Sequence, residues 1–203
     1  MRLVIGGPTR EIVSDTFAVK LAELYANVHQ WVDFVWPLRF MRSTYIHVGR
    51  EEVLSEALRL GATHVLWLDT DMEFPANLAL RLAQHDQPVV ACNYRMRNAS
   101  DLFTAFRDEQ RIPTRADATG LEAVDYCGMG AMLMRTDVVA NLQRPWFRHG
   151  TNAHGGDIGE DVMFCRALRA AGHTVYIDHD LSKEIGHIGQ TTYRTLKIDT
   201  VVV

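Results

Sequence analysis

A five-residue apolar run that ends in two carboxylates constrains this chain more than any other feature. The run His64-Val65-Leu66-Trp67-Leu68 shows little alternation of polar and apolar residues, which is typical of a strand buried on both faces of a parallel sheet. It leads directly into Asp69-Thr70-Asp71. Two carboxylates two residues apart in a turn can both reach one hard cation through oxygen ligands. The segment therefore predicts a buried strand with a divalent-metal site beyond its carboxyl end.

Strands and helices alternate over residues 1–92. Short apolar runs predict further strands at 3–5, 31–36 and 88–92, and Pro37 stops the second of them. Helix-like spacing of apolar residues predicts helices at 15–30, 50–60 and 76–85, with Gly61 as a C-terminal cap. This order favours an α/β fold with a mainly parallel, Rossmann-like central sheet flanked by helices. Ligands of such sheets bind beyond the carboxyl ends of the strands, where Pro8, Thr9 and the two aspartates fall.

The second half of the chain has weaker patterns and no convincing linker. Residues 98–119 are polar and predict a loop or a hairpin, while short apolar segments at 124–126 and 131–134 flank a glycine-bearing turn. A helix at 161–171 and a strand at 174–177 follow. The 203 residues are enough for one complete core, so we expect a single domain over 1–203.

Composition excludes several classes of protein. The formal net charge of −4 gives no sign of the basic face with which proteins hold nucleic-acid phosphates. Three widely spaced cysteines, without a CxxC pair, disfavour a zinc knuckle or a disulfide framework and fit a reducing, cytoplasmic setting. The first apolar run is too short for a signal peptide, and no stretch approaches the roughly 20 apolar residues of a membrane span.

The segment from His64 to Pro75 resembles the metal-binding segment of GT-A fold glycosyltransferases, in particular small family 2-like members such as those of phages or bacteria. Five other segments also resemble segments of this family and follow one another in the same order. They are Gly7-Pro8-Thr9, Gly49-Arg50-Glu51, Tyr126–Ala131, Gly159–Val162 and Gly186–Gly189. The resemblance implies transfer of a sugar from a nucleoside diphosphate sugar, with UDP among the candidate nucleotides and Mn²⁺ or Mg²⁺ as cofactor. It also implies a nucleotide-sugar-binding half at 1–92 and an acceptor-binding half at 93–203.

The resemblance assigns roles in the donor site. It implies metal binding by Asp71 and His187, and by Asp69, for which a contact to the ribose is the alternative. The remaining donor-binding residues that it implies are Pro8, Thr9, Arg50, Thr70, Gly128 and Gly130. Glu51 stands where the family often has Asn, which leaves a base contact from that position open.

The acceptor side is predicted from a helix start and an aromatic pair. Glu160 and Asp161 lie in a first helical turn, where the helix dipole favours negative charge, after the glycine-rich approach 154–159. Asp161 is the candidate general base for an acceptor hydroxyl, and Glu160 the candidate for orienting the acceptor. Trp146 with Phe147 would form an aromatic wall for the acceptor, although core packing explains the pair equally well.

Two other functions remain open from the sequence. A nucleotidyltransferase also pairs carboxylates with a metal, but it usually needs a longer phosphate loop than Gly6-Gly7-Pro8-Thr9-Arg10. A non-catalytic nucleotide-sugar-binding protein is the second alternative, against which the intact carboxylates argue. The sequence leaves the acceptor open among a small molecule, a lipid-linked sugar and a modified nucleic-acid base, and it leaves the stereochemistry and the oligomeric state open.

Overall fold

The computed structural model describes residues 1–9, 13–36, 39–97, 102–189 and 192–194. The predicted stop at Pro37 and part of the polar stretch lie outside these ranges. In the described ranges the helices are α1 (Asp15–Val28), α2 (Ile46–Arg59), α3 (Leu78–Gln84), α4 (Glu160–Ala170) and α5 (His179–Ser182), with a 3-10 turn at Thr136–Val139. The strands are β1 (Arg2–Thr9), β2 (Phe34–Val35), β3 (Arg39–Arg42), β4 (His64–Leu68), β5 (Met72–Glu73), β6 (Val89–Ala91), β7 (Phe106–Arg107), β8 (Gln110–Arg111), β9 (Leu121–Val124), β10 (Ala131–Arg135), β11 (Gly150–Thr151), β12 (Asp157–Ile158), β13 (Val175–Asp178), β14 (Gly186–Ile188) and β15 (Thr192–Arg194).

A central sheet runs through the molecule in the order β2-β1-β4-β10-β6-β13-β9, and β3 extends the β1 edge. β1 pairs in parallel with β4 along one edge. Along the other edge, the first residues of β1 pair in parallel with β2 and its last residues pair in parallel with β3. β10 lies antiparallel between β4 and β6, β13 is parallel to β6, and β9 is antiparallel to β13. Within the described central sheet, four strand pairs are parallel and three are antiparallel, and the α/β prediction with flanking helices is confirmed.

Both faces of the central sheet are covered, as the unbroken apolar run predicts. Val65 and Trp67 of β4 point into one hydrophobic cluster, while Leu66 and Leu68 point into the other. Residues of α2 and α4 belong to the first cluster, and residues of α1 and α3 belong to the second. Burial of each such side chain contributes about 1.5–3 kcal/mol relative to exposure. The sheet is therefore held rigidly between two layers of helix.

Two element boundaries that matter for the site differ from the sequence prediction. β1 continues through Gly6 and Gly7 to Thr9, because these residues pair in parallel with β3. A Cβ on Gly7 would lie 2.0 Å from the carbonyl oxygen of Leu68. Gly7, which follows the strand predicted at 3–5, therefore allows β1 and β4 to approach each other closely. α2 begins at Ile46, four residues before the predicted start, so Arg50 lies in its second turn.

A small separate sheet connects the end of the chain to the end of β4. β14 lies between β5 and β15, antiparallel to both, and His187 is opposite Met72. Because Asp71 immediately precedes Met72, this register brings His187 beside it. No helix among the described residues is long and apolar enough to cross a membrane.

Candidate active site

A cavity of about 380 Å³ lies beyond the carboxyl ends of β1 and β4. The described residues that line it come from six separate segments and are Pro8, Thr9, Ser14, Ser43, Ile46, Asp69, Thr70, Asp71, Arg97, His187 and Ile188. Six of them are residues to which the sequence assigned a role in binding the donor or a metal. Parallel strands end at the same sheet edge, and this explains why the motifs of β1 and β4 converge.

His187 and Asp71 face each other across this cavity. The backbone N–H of Ile188 donates to the carbonyl oxygen of Asp71 at 2.6 Å, and His187 Nε2 lies 3.5 Å from Asp71 Oδ2. His187 Nδ1 lies 2.9 Å from the carbonyl oxygen of Arg95, which can only accept, so Nδ1 carries the hydrogen. When His187 is protonated, its Nε2–H donates to the carboxylate oxygen. When it is neutral, Nε2 presents a lone pair to that oxygen, and two acceptor atoms this close need a cation between them.

The charge around Asp71 keeps its carboxylate ionised. Burial opposes ionisation, but the hydrogen bond and charge of His187 and the charge of Arg97 outweigh burial and lower the pKa of Asp71. Arg97 Nη2 lies 3.1 Å from Asp71 Oδ2, and the Arg97 side chain is half exposed. The carboxylate is thus available as an anionic oxygen ligand at neutral pH.

Asp71 and His187 are suited to bind a divalent ion, but they supply only two protein ligands among the described residues. An imidazole whose Nδ1–H is bound to a backbone carbonyl is the usual arrangement of a metal-ligating histidine. In the described ranges no group of three or more His, Cys, Asp and Glu side chains is arranged to hold a metal. Magnesium is commonly held by one or two carboxylates together with phosphate oxygens and water. The pair suits that kind of site, whereas a metal contact from Asp69 stays a prediction.

Asp69 is instead oriented by Arg50. Arg50 is only 3% exposed, and its Nη2 donates to both carboxylate oxygens of Asp69, at 3.0 and 3.2 Å. Its Nη1 donates to Glu160 Oε1 at 2.7 Å. Burial disfavours its charged form, but the charges of Asp69 and Glu160 outweigh this and raise the pKa of Arg50. Arg50 does not line the cavity in the described structure and is connected to it through Asp69, so the predicted direct contact of Arg50 with the donor stays a prediction.

Asp161 follows Glu160 in the first turn of α4. Its Oδ1 accepts from the backbone N–H of Val162 at 2.8 Å. Gly159 leaves room for this carboxylate, since a Cβ on it would lie 2.7 Å from that same oxygen. Burial raises the pKa of Asp161, and the charge of Arg50 offsets this only in part. A carboxylate with a raised pKa is a better proton acceptor, which suits the predicted role of general base.

Gly128 and Gly130 make room for Tyr94, a residue that the sequence analysis missed. A Cβ on either glycine would lie 2.4 or 2.7 Å from Tyr94 Oη, and the backbone N–H of Gly130 donates to that oxygen at 2.9 Å. The Tyr94 ring meets the ring of His187 edge to face, with centroids 5.4 Å apart. Both glycines are buried and absent from the described cavity lining. In this structure they support His187 through Tyr94.

Trp146 packs into the core, in agreement with the alternative that the sequence left open. It is 9% exposed, and the guanidinium of Arg144 covers its ring at 4.5 Å from the centroid. Glu51 Oε2 accepts from the backbone N–H groups of Trp146 and Phe147, at 2.9 and 3.2 Å. The predicted aromatic wall is therefore not formed by Trp146, and Glu51 anchors this loop rather than contacting a base.

Comparisons with known proteins show the fold and leave the function open. No protein-family model matches the chain, and no curated protein matches it. The crystal structure of A197 from STIV is similar with a TM-score of 0.63 at 18% identity, covering 93% of this chain and 86% of that chain. A nucleoside-diphosphate-sugar pyrophosphorylase from Vibrio cholerae RC9 (14% identity, 90% and 75% covered) has a TM-score of 0.44. A glycosyltransferase involved in the glycosylation of the major capsid of PBCV-1 (16%, 72% and 69%) has a TM-score of 0.34. The last two scores are too low to support a conclusion on function.

Proposed function

We propose that this protein transfers a glycosyl group from a nucleoside diphosphate sugar to an acceptor hydroxyl, with the donor in the cavity beyond β1 and β4. One observation carries the proposal: Asp71 Oδ2 and His187 Nε2 lie 3.5 Å apart in a cavity at the carboxyl end of a buried strand, with His187 Nδ1 held by a backbone carbonyl. A diphosphate that brings its own divalent cation satisfies both side chains. When bound, Mn²⁺ or Mg²⁺ supplies neutralisation of the charge that develops on the departing diphosphate.

The cavity residues divide the work of holding the donor. Asp71 and His187 hold the cation, and Arg97, with a half-exposed guanidinium beside them, binds phosphate oxygen. Pro8 and Thr9, at the end of β1, form a wall for the nucleoside. Asp69 accepts a hydrogen bond from the ribose, since Arg50 fixes its orientation. Residues from both predicted halves line the cavity, so the donor-binding unit extends beyond residues 1–92.

Asp161 acts on the acceptor in this proposal. For a transfer that inverts the anomeric carbon, the acceptor oxygen bonds to that carbon while the bond to the diphosphate breaks. The acceptor proton passes to the carboxylate of Asp161, whose pKa burial has raised. Glu160, which accepts from the Arg50 guanidinium, orients the acceptor. For a transfer with retention, Asp161 holds the acceptor and no protein base is required.

A panel of nucleoside diphosphate sugars tests the proposal. A donor stabilises the protein by about 2.7 kcal/mol at a concentration 100 times its dissociation constant, so a thermal shift that requires Mn²⁺ is expected. Asp71→Asn abolishes the shift, whereas Asp117→Asn, at an exposed carboxylate, leaves it unchanged. Product analysis then separates the alternatives. Release of nucleoside diphosphate supports glycosyl transfer, while release of pyrophosphate or the absence of turnover contradicts it.

A further inference from the structure

Two side chains approach the same carboxylate oxygen in the donor cavity, Oδ2 of Asp71. His187 Nε2 lies 3.5 Å from this oxygen, and Arg97 Nη2 lies 3.1 Å from it. All three residues line the cavity. In this structure the cation on Asp71 Oδ2 is therefore the guanidinium of Arg97. A divalent cation that uses the same oxygen has to compete with it.

Arg97 reaches Asp71 from a segment whose backbone is fixed. Arg95, two residues earlier, pairs with Phe103 in an antiparallel bridge. The carbonyl oxygen of Arg95 also lies 2.9 Å from His187 Nδ1, so this segment orients both side chains that approach Asp71. The Arg97 side chain itself is half exposed. Its guanidinium is thus able to leave Asp71 by side-chain rotation, with no change in the backbone that holds His187.

The ion pair affects a free cation and a metal–diphosphate complex in opposite ways. A free divalent cation that binds Asp71 displaces the guanidinium and then stays close to its positive charge, and like charges repel. A metal–diphosphate complex brings anionic oxygens of its own. The planar fork of an arginine matches two phosphate oxygens as well as it matches a carboxylate. Arg97 then exchanges one anionic partner for another and keeps its hydrogen bonds.

We propose that Arg97 is the residue that determines which form of the cation the site accepts. Its guanidinium competes with a free divalent cation for Asp71, and it releases Asp71 when the cation arrives bound to a diphosphate. Metal and nucleotide therefore bind as one unit, rather than the metal first. The inference rests on the proposed function, since it concerns the same site. It goes beyond phosphate binding, because it gives one side chain opposite effects on the free metal and on the metal–nucleotide complex.

Arg97→Gln separates these two effects. Binding of Mn²⁺ without nucleotide is measured from the loss of its free-ion paramagnetic resonance signal, and binding of UDP at a fixed Mn²⁺ concentration is measured by titration calorimetry. The variant should bind free Mn²⁺ about two- to fivefold more tightly, as expected from the loss of a competing, partly exposed ion pair. It should bind UDP with Mn²⁺ about tenfold more weakly or worse, because charge-assisted hydrogen bonds to phosphate are lost.

Two further variants serve as controls. Arg107→Gln removes a guanidinium of matched exposure, 49% against 50%, that pairs with Glu122 at 2.8 Å and does not belong to the described lining of the donor cavity. It should leave both affinities unchanged. Arg97→Lys keeps the positive charge and lacks the planar fork. It should bind free Mn²⁺ as wild type does and bind UDP with an affinity between those of wild type and Arg97→Gln.

Opposite changes of the two affinities in Arg97→Gln, absent from Arg107→Gln, support the proposal. Free Mn²⁺ binding that is unchanged or weaker in Arg97→Gln, undiminished UDP binding by that variant, or equal effects of the two glutamine variants overturns it. Failure of UDP to bind wild-type protein with Mn²⁺ is a different result, because it removes the donor proposal. Binding of Mn²⁺ alone then decides whether Arg97 competes for Asp71.

Discussion

Replacing Arg50 with methionine tests whether one buried guanidinium holds the carboxylates of the site in place. Methionine keeps most of the volume and removes the charge, so the loss reports electrostatics more than packing. Arg50 is 3% exposed and donates at 2.7–3.2 Å to Glu160 and Asp69. Removing one partner of a buried ion pair costs about 3–5 kcal/mol, because a charge is left buried without compensation.

The structure places the expected loss at the lower end of that range. The Asp69 side chain is 28% exposed and can regain water, whereas that of Glu160 is 11% exposed and cannot do so fully. We therefore expect a loss of about 3 kcal/mol at neutral pH, which lowers Tm by roughly 6–12 °C for a chain of this length. Burial raises the pKa of Asp161, and the charge of Arg50 offsets this in part, so removing Arg50 raises that pKa further. A carboxyl with a raised folded pKa costs stability as pH rises through that pKa, so the deficit of the variant shrinks in acid.

Urea unfolding of Arg50→Met and of Arg59→Met makes the comparison direct. Arg59 lies in the same helix, is 68% exposed and pairs with Glu56, so its loss should have little effect on stability. Arg50→Lys, which keeps the charge but lacks the planar fork, should fall between wild type and Arg50→Met. The reasoning is refuted if Arg50→Met is no less stable than Arg59→Met, or if its deficit grows as pH falls.

Three further substitutions have defined outcomes. Asp161→Asn should raise Tm at neutral pH while abolishing transfer, because a carboxyl whose folded pKa is raised destabilises the fold once ionised. An unchanged or lowered Tm would contradict the burial argument. Gly7→Ala should cost about 1–3 kcal/mol by urea unfolding, since its Cβ would lie 2.0 Å from the Leu68 carbonyl oxygen, and wild-type stability would disprove the close contact. Tyr94→Phe should cost about 1–3 kcal/mol by leaving the Gly130 N–H without an acceptor, and an equal stability of the two proteins would show that this N–H finds another partner.

Local patterns in the sequence were enough to predict which residues of β1 and β4 end beside the cavity. The apolar run of β4 and the aspartates after it depend only on neighbouring residues, and β1 ends beside them because parallel strands share an edge. His187 also lies at the site, but its position depends on the pairing of β14 with β5 across more than a hundred residues. A motif resemblance, rather than any local pattern, identified it.

Long-range contacts account for what the sequence analysis missed. Nothing near Tyr94 in the sequence signals that Gly128 and Gly130 leave space for its ring. Likewise, the glycine–arginine pair at 49–50 resembles a ligand-binding motif. Only the structure shows that Arg50 of α2 donates a hydrogen bond to Glu160 of α4. His179 resembles a surface residue, yet it is 3% exposed and bound to Glu122 at 2.7 Å. Each of these roles is set by partners distant in the chain.

Manganese binding, measured by electron paramagnetic resonance in the presence of UDP, tests the central claim most directly. The free-ion signal of Mn²⁺ should fall on addition of protein and UDP together, with a stoichiometry of about one ion per chain, as expected of a cation shared by phosphate oxygens and two side chains. Asp71→Asn and His187→Ala should each abolish that loss, and Asp117→Asn should preserve it. A free-ion signal that protein and UDP leave unchanged, or that Asp71→Asn depletes as fully as wild type, would contradict a metal-bound diphosphate beyond β4.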